Sequence, residues 1–232
     1  MSKDKHITRR QALAGLGVAG AGLAAARIAG IPGLDGAATT RAASCILTPE
    51  QTEGPYYVDI NKVRKDITEG RSGVPLRLRI YVVDSDACKP IDGAAVDIWH
   101  CDALGVYSDE SVENTSGQTW LRGTQLTDSS GLATFKTIYP GHYEGRTTHI
   151  HVKVHVGGNV VHTGQLFFTD RLSRQIYKLS PYSKDTGSYL ARGSDQIYTG
   201  SHGSSSVMRV KRRGSSLKRS GLIGTITLGV AT

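Results

Sequence analysis

The sequence is short of cysteine, of long apolar runs and of helical periodicity, and each shortage closes a class of explanation. Only Cys45, Cys88 and Cys101 occur in 232 residues, and their spacing matches no cysteine-based metal site. No stretch supplies the roughly 20 apolar residues of a membrane-spanning helix, because the Ala/Gly-rich run that begins near Leu13 is cut at Arg27. The 28 glycines follow no G-X-Y period, which excludes collagen. Hydrophobic residues at 38% and charged residues at 21% exclude a disordered polyampholyte and an integral membrane bundle. No internal repeat or interdomain linker is visible, so residues 44–232 read as one domain.

The formal charge of +8 invites a nucleic-acid reading until it is divided along the chain. Residues 1–43 carry +4, residues 44–206 carry −2, and residues 207–232 carry +6 with no acid at all. The body is close to neutral, and nucleic-acid binding is not expected. The basic C-terminal stretch reads as a solvated strand edge that discourages pairing with other chains. At the other end, Arg9 and Arg10 precede the weakly apolar run from Leu13. That is the form of a twin-arginine-type export signal with a short linker over residues 1–43, without a stable membrane anchor. Export makes a disulfide permissible. Cys88 and Cys101 flank a hairpin with its turn near Asp92-Gly93 and are poor partners for each other; Cys45 could pair with either, and the pairing stays open at this point.

After Cys45 the apolar pattern has period two. Leu76–Val83, Ala94–His100, Leu121–Thr127, Leu132–Ile138, His149–Val156, Gln165–Thr169, Ser206–Val210 and Leu222–Val230 read as strands. Asp128-Ser129-Ser130-Gly131 reads as a hairpin loop, Gly157-Gly158-Asn159 as a break, and Asp170–Lys178 as a short helix. The expected fold is all-β: a two-sheet β-sandwich with long active-site loops and little helix apart from the N-terminal signal.

Chemistry concentrates between Tyr139 and His155. Residues two apart on a strand share a face about 6.6 Å apart, so His149 and His151 can converge on one ion. His155 has the same parity but lies too far along. Ile150, Val152, Val154 and Val156 form an apolar row on the opposite face. A bland alternative makes His149, His151, Lys153 and His155 a solvated polar face. Tyr107 and Tyr143 stand in glycine-rich settings nearby, and phenolate is a hard anionic ligand suited to ferric iron.

These residues resemble a known family, the intradiol ring-cleavage dioxygenases. The resemblance runs from about Thr48 to Thr169 and rests on Glu53-Gly54-Pro55-Tyr56-Tyr57, the Trp99–Tyr107 stretch, Pro140-Gly141-His142-Tyr143 leading to Arg146 and His149-Ile150-His151, and Gly164-Gln165-Leu166-Phe167-Phe168. It implies one non-haem Fe(III) per chain, with Tyr107 and His149 as equatorial and Tyr143 and His151 as axial ligands. It implies a catechol-type substrate and O2, with cleavage between the hydroxylated carbons to a cis,cis-muconate type diacid. Arg146 resembles an arginine over the bound ring, and Tyr143 a proton acceptor. Gln165, Trp99, Pro55 and Tyr56 resemble pocket residues. Arg146 could instead pair with Glu144 or Asp97. A substrate carboxylate would want a further cation, for which Arg122, Arg71 and Lys62 are available. The few residues between signal and Thr48 leave no room for the family's helical dimerisation domain, so any homo-oligomer would use the sandwich. Competing readings are a His-x-His zinc or copper protein and a transthyretin-like binding module.

Overall fold

The computed structural model describes residues 45–60 and 62–232. The export signal expected over residues 1–43 lies outside the described residues. Two four-stranded sheets face each other. The first has the order β4-β1-β8-β7 and the second β3-β2-β5-β6, where β1 is Pro75–Asp84, β2 Ala95–Trp99, β3 Arg122–Leu126, β4 Leu132–Ile138, β5 His149–Val156, β6 Asn159–Phe167, β7 Arg209–Arg212 and β8 Leu222–Val230. Among the described residues, helix is confined to the short segments α1 (Asp170–Ile176), α2 (Gln196–Gly200) and α3 (Leu217–Ser220) and a few single turns. The all-β sandwich read from the period-two pattern is the fold observed.

Alternation explains the core. Leu76, Leu78, Ile80 and Val82 of β1 point inward with Phe135, Leu222 and Leu228, and they meet Val96, Ile98, Ile150, Val152 and Val154 from the second sheet. The pairing of β1 with β8 is parallel and all other strand pairs are antiparallel.

Three local expectations need correction. The Asp128–Gly131 loop and the turn near Asp92-Gly93 do not close hairpins; β1 and β4 lie in one sheet and β2 and β3 in the other, so both connections arch between sheets. Alternation marks a buried face but is blind to which sheet supplies it. The second correction concerns Gly157-Gly158, which forms the tight turn of a true hairpin: β6 starts at Asn159 and ends at Phe167, longer and earlier than the expected Gln165–Thr169. Third, β7 spans Arg209–Arg212 rather than Ser206–Val210, because residues Gly203–Ser206 close a helical turn.

Cys45 is bonded to Cys88, and Cys101 is free and buried. The disulfide ties the segment before β1 to the end of that strand, while Thr48 N donates to Gly229 O of β8 at 2.8 Å. The bridge spans 43 positions, and a loop of that length should contribute about 3–4 kcal/mol by restricting the unfolded chain. The Cys45→Ser/Cys88→Ser variant is therefore expected to lose about that much stability in urea unfolding. A loss below about 1 kcal/mol would show that the restriction is negligible.

Candidate metal centre

Strand β5 supplies two of the four candidate donors. Its inward face, Ile150, Val152 and Val154, is fully buried in the core. Its other face carries His149 and His151, which are 3% and 0% exposed, so this face is not the solvated one that the bland reading required. His149 Nδ1 donates to Thr147 O at 2.7 Å; with that proton fixed, Nε2 is left as the lone-pair nitrogen. His149 Nε2 lies 3.1 Å from His151 Nε2 and 3.2 Å from Tyr143 Oη. Two donors bound at about 2.0–2.1 Å to one ion, at near-right to tetrahedral angles, would be separated by about 3 Å. The observed spacings meet that requirement.

The fourth donor, Tyr107, sits on the long connection between β2 and β3. Its ring is 5.7 Å from that of Tyr143 and 6.4 Å from that of His151. Its hydroxyl is buried and, among the described residues, has no partner in full hydrogen-bond geometry, an unusual condition for a phenol and one that a metal bond would relieve. The two tyrosine loops meet backbone to backbone at Gly105, whose φ is +85° and where a Cβ would stand 2.2 Å from His142 O. Only glycine fits there.

Burial dominates the local titration behaviour. It lowers His149 to about 3 and pushes His151 well below the usual histidine range, which keeps both imidazoles neutral and able to bind a cation. Burial also raises Tyr143 to about 12, opposed by the Arg146 charge, and raises Tyr107 well above the usual range. Neutral phenols are thus the resting forms without a cation, and a trivalent ion would invert that preference. Among the described residues, no group of three or more His, Cys, Asp or Glu side chains is arranged to hold a metal. The tyrosines are therefore integral to any four-donor site here.

Arg146 enters this cluster from the loop before β5. Its Nη1 donates to Tyr143 Oη at 3.3 Å, its Nη2 to Gln165 Oε1, and its Nε to Asp195 Oδ2 at 3.0 Å. The ion-pair partner is Asp195, not Glu144 or Asp97. Asp97 instead accepts from Tyr57 Oη at 3.2 Å and faces His155 Nε2 at 3.0 Å, which keeps His155 away from the donors as its position on the strand required. Gln165 is fully buried, accepts from Arg146, and donates through Nε2 to Thr52 O at 3.0 Å and through its backbone N to Gln51 Oε1 at 2.6 Å.

The remaining pocket residues separate. Trp99 stacks on His151 with centroids 4.9 Å apart and planes 9° apart. Tyr56 stacks on Tyr107 at 4.2 Å and meets Tyr143 edge-on at 5.7 Å. Pro55 stays at the exposed turn beside it. Gly54 lies against His151, where a Cβ would be 3.2 Å from Cε1. Of the three cations considered for a substrate carboxylate, Arg122 is near the cluster. It is buried, donates to Ser108 Oγ and O and to Tyr56 O, and lies 5.9 Å from the Tyr107 ring. Arg71 faces Asp102 at 3.6 Å, and Lys62 donates to Thr119 Oγ1 at 2.8 Å.

Sequence reasoning missed Asp195. Its carboxylate is completely buried and accepts from Arg146 Nε, Thr147 N, Ile197 N and Tyr198 N. The only signal available in sequence was its suitability as the N-cap of α2, which says nothing of an arginine 49 positions earlier.

Comparison with known proteins agrees with this geometry. A family model described as "Dioxygenase" matches residues 52–172. The catechol 1,2-dioxygenase of Acinetobacter baylyi is 30% identical over 159 residues, which cover 62% of this chain and 51% of that protein. The chain thus spans about half the length of that curated relative. Among solved structures, the intradiol ring-cleavage dioxygenase from Tetranychus urticae superposes with a TM-score of 0.74 at 36% identity, covering 81% of this chain and 95% of that one. The dioxygenase domain of a carbohydrate-binding fusion protein from Streptomyces sp. SirexAA-E superposes with a TM-score of 0.59 at 32% identity, covering 78% and 96%. The family model covers just over half of the chain, and the relatives carry the same description: the chain belongs to the intradiol ring-cleavage dioxygenase family.

Proposed function

We propose that this chain is a non-haem Fe(III) dioxygenase that opens the ring of a catechol between its two hydroxylated carbons. Both atoms of O2 are retained in a cis,cis-muconate type diacid. The observation that carries the reading is the convergence of Tyr143 Oη and the two histidine Nε2 atoms at 3.1–3.2 Å spacings beside the buried, unpartnered Tyr107 hydroxyl. Tyr107, Tyr143, His149 and His151 would hold the iron. Once bound, ferric iron would supply Lewis-acid polarisation of the catechol oxygens.

The chain's own residues divide the remaining work. With an ion bound, Tyr143 would be held as a phenolate, and its Oη would then take a proton from a catechol hydroxyl as the substrate binds and become a neutral phenol. Arg146 sits 3.3 Å from that oxygen through Nη1, so its charge favours the anionic forms that follow and offsets negative charge developing on the ring. Gln165 and Asp195 grip its other nitrogens and hold it there. Trp99 and Tyr56 are the aromatic walls, Trp99 behind His151 and Tyr56 over Tyr107. The segment from Gln51 to Tyr57 covers the site and limits water, with Pro55 at its outer turn. Export by a twin-arginine-type signal over residues 1–43 belongs to the same proposal; the Cys45–Cys88 disulfide supports it, because such bonds persist in oxidising compartments.

Purified protein loaded with ferric iron should show a visible tyrosinate-to-iron absorption that shifts when catechol is added, with one O2 consumed per diacid formed. Tyr107→Phe should abolish or displace that band and lower bound iron. A colourless protein that retains stoichiometric zinc and consumes no oxygen with any catechol would overturn the reading. Asp195→Asn keeps the side-chain shape and removes the carboxylate that grips Arg146. It should lower kcat at least about tenfold while the KM for catechol changes less than about threefold and iron content is unchanged. Loss of iron or of folded protein instead would make Asp195 a structural residue only.

A further inference from the structure

We propose that the outer face of the first sheet, on the side of the sandwich away from the metal centre, is a docking surface for a linear acidic polysaccharide. Strand register builds this face. Lys211, Ile223, Arg77 and Lys136 form one row across β7, β8, β1 and β4, and Arg209, Thr225, Arg79 and Thr134 form the next. Neighbouring strands are about 4.8 Å apart and same-face residues about 6.6 Å apart along a strand, so five cations occupy a grid about 14 Å wide. Arg77, Arg209 and Lys211 are exposed. Of the five, Lys136 is the one with a carboxylate partner among the described residues, Asp66 at 2.6 Å.

Edge protection accounts for only part of this pattern. Arg209 and Lys211 lie on β7, an edge strand that positive charge would keep from pairing with other chains. Arg77 and Arg79 lie on β1, an interior strand with a neighbour on each side, and guard no edge. Their presence on the same two rows calls for a different reason.

The chemistry of the face selects among polyanions. A membrane surface is disfavoured because the exposed large apolar residues, Ile46, Leu47, Val63, Leu104, Val112, Leu126 and Val160, are all absent from the four strands of this sheet. Single-stranded nucleic acid is disfavoured because sheet surfaces that bind it present rings for base stacking. The ring on this face, Tyr81, is engaged by Arg79, which donates to its hydroxyl and lies 5.5 Å from its centroid. What the face does present is five cations, alternating with the hydroxyls of Thr225 and Thr134 on one row and set about the single aliphatic side chain of Ile223 on the other, with Thr227 beyond. That mixture suits a chain bearing a carboxylate among several hydroxyls on each unit.

Calorimetric titration of the full chain with polygalacturonate tests the proposal, with neutral dextran, poly(dT) and anionic phospholipid vesicles as comparison probes. Saturable binding to polygalacturonate is expected, weakening at least about tenfold between about 20 and 200 mM NaCl, with no binding to dextran. Two variants separate a built surface from mere net charge. Arg77→Gln/Arg209→Gln/Lys211→Gln should weaken binding at least tenfold. Arg171→Gln/Arg174→Gln/Lys178→Gln, which removes the same charge from α1 and its end, should weaken it less than threefold. Equal losses in the two variants, tighter binding to poly(dT) or vesicles, or no binding to polygalacturonate would overturn the assignment.

Discussion

One cross-strand row governs the candidate metal centre. Arg122, Trp99, His151 and Gln165 are register partners across β3, β2, β5 and β6, and all four side chains therefore lie on the same face of the second sheet. Because the side-chain period of a strand is two, slipping any of these strands by one residue would send its member of the row into the apolar core. The row explains why Trp99 stacks flat on His151, why Gln165 stands beside that histidine, and why Arg122 reaches the loop that carries Tyr56. Loops then attach to the row rather than the reverse. Gln165 holds Thr52 and Gln51, Arg122 holds Tyr56 and Ser108, and Arg146 hangs from Gln165.

Placing so many polar groups on a buried face is costly, and the way each cost is met separates scaffold from site. The Arg146–Asp195 pair loses several kcal/mol of hydration per ion. Three backbone N–H groups on Asp195, and Gln165 and Tyr143 on Arg146, compensate within the chain. Arg122 is buried with no carboxylate partner among the described residues, yet each of its three nitrogens donates to an oxygen. The Tyr107 hydroxyl is different: no described residue meets it in full hydrogen-bond geometry, a condition it shares with Trp99 Nε1, His151 Nδ1 and His162 Nδ1, at a cost of about 1–3 kcal/mol for a buried unsatisfied group. The two histidines beside it are pressed toward neutrality by the same burial. The buried charges of Arg146, Asp195 and Arg122 are met by the described chain, whereas a bound metal would meet the Tyr107 hydroxyl.

This division also decides what could be read from sequence. The strands were legible because Leu76, Leu78, Ile80 and Val82, or Ile150, Val152 and Val154, repeat with the pleat. The donors on β5 were legible because parity alone puts His149 with His151 and sets His155 apart by distance. Sheet membership was not legible: β1–β2 and β3–β4 look like hairpins because both sheets bury the same kind of face against one core. Asp195 was not legible for a different reason. Its partnership with Arg146 is made by a loop returning across the end of the second sheet, and no periodicity links a capping aspartate to an arginine so far back in the chain. The disulfide lay between these cases. Elimination of Cys88–Cys101 was correct, but choosing Cys88 over Cys101 for Cys45 required knowing that Cys101 is buried beside Trp99 and Tyr107.

The two sheets resolve the apparent contradiction of a basic protein with a nearly neutral body. Polar residues on and beside the outer face of the second sheet find partners there: Lys153 has Glu53 and the Tyr57 ring, His155 has Asp97 of β2, and Arg146 of the loop before β5 has Asp195. Among the described residues, the outer face of the first sheet has less such cover, and Arg77, Arg209 and Lys211 are exposed there. From Gln196 to the C-terminus the chain contains no acid, so the residues that form β7 and β8 cannot supply counter-charges to the arginines of β1. Net charge in this molecule is thus less a property of composition than of coverage. Where loops close over a sheet, charges pair and become part of a site; where they do not, charge stays exposed and available to something outside the chain.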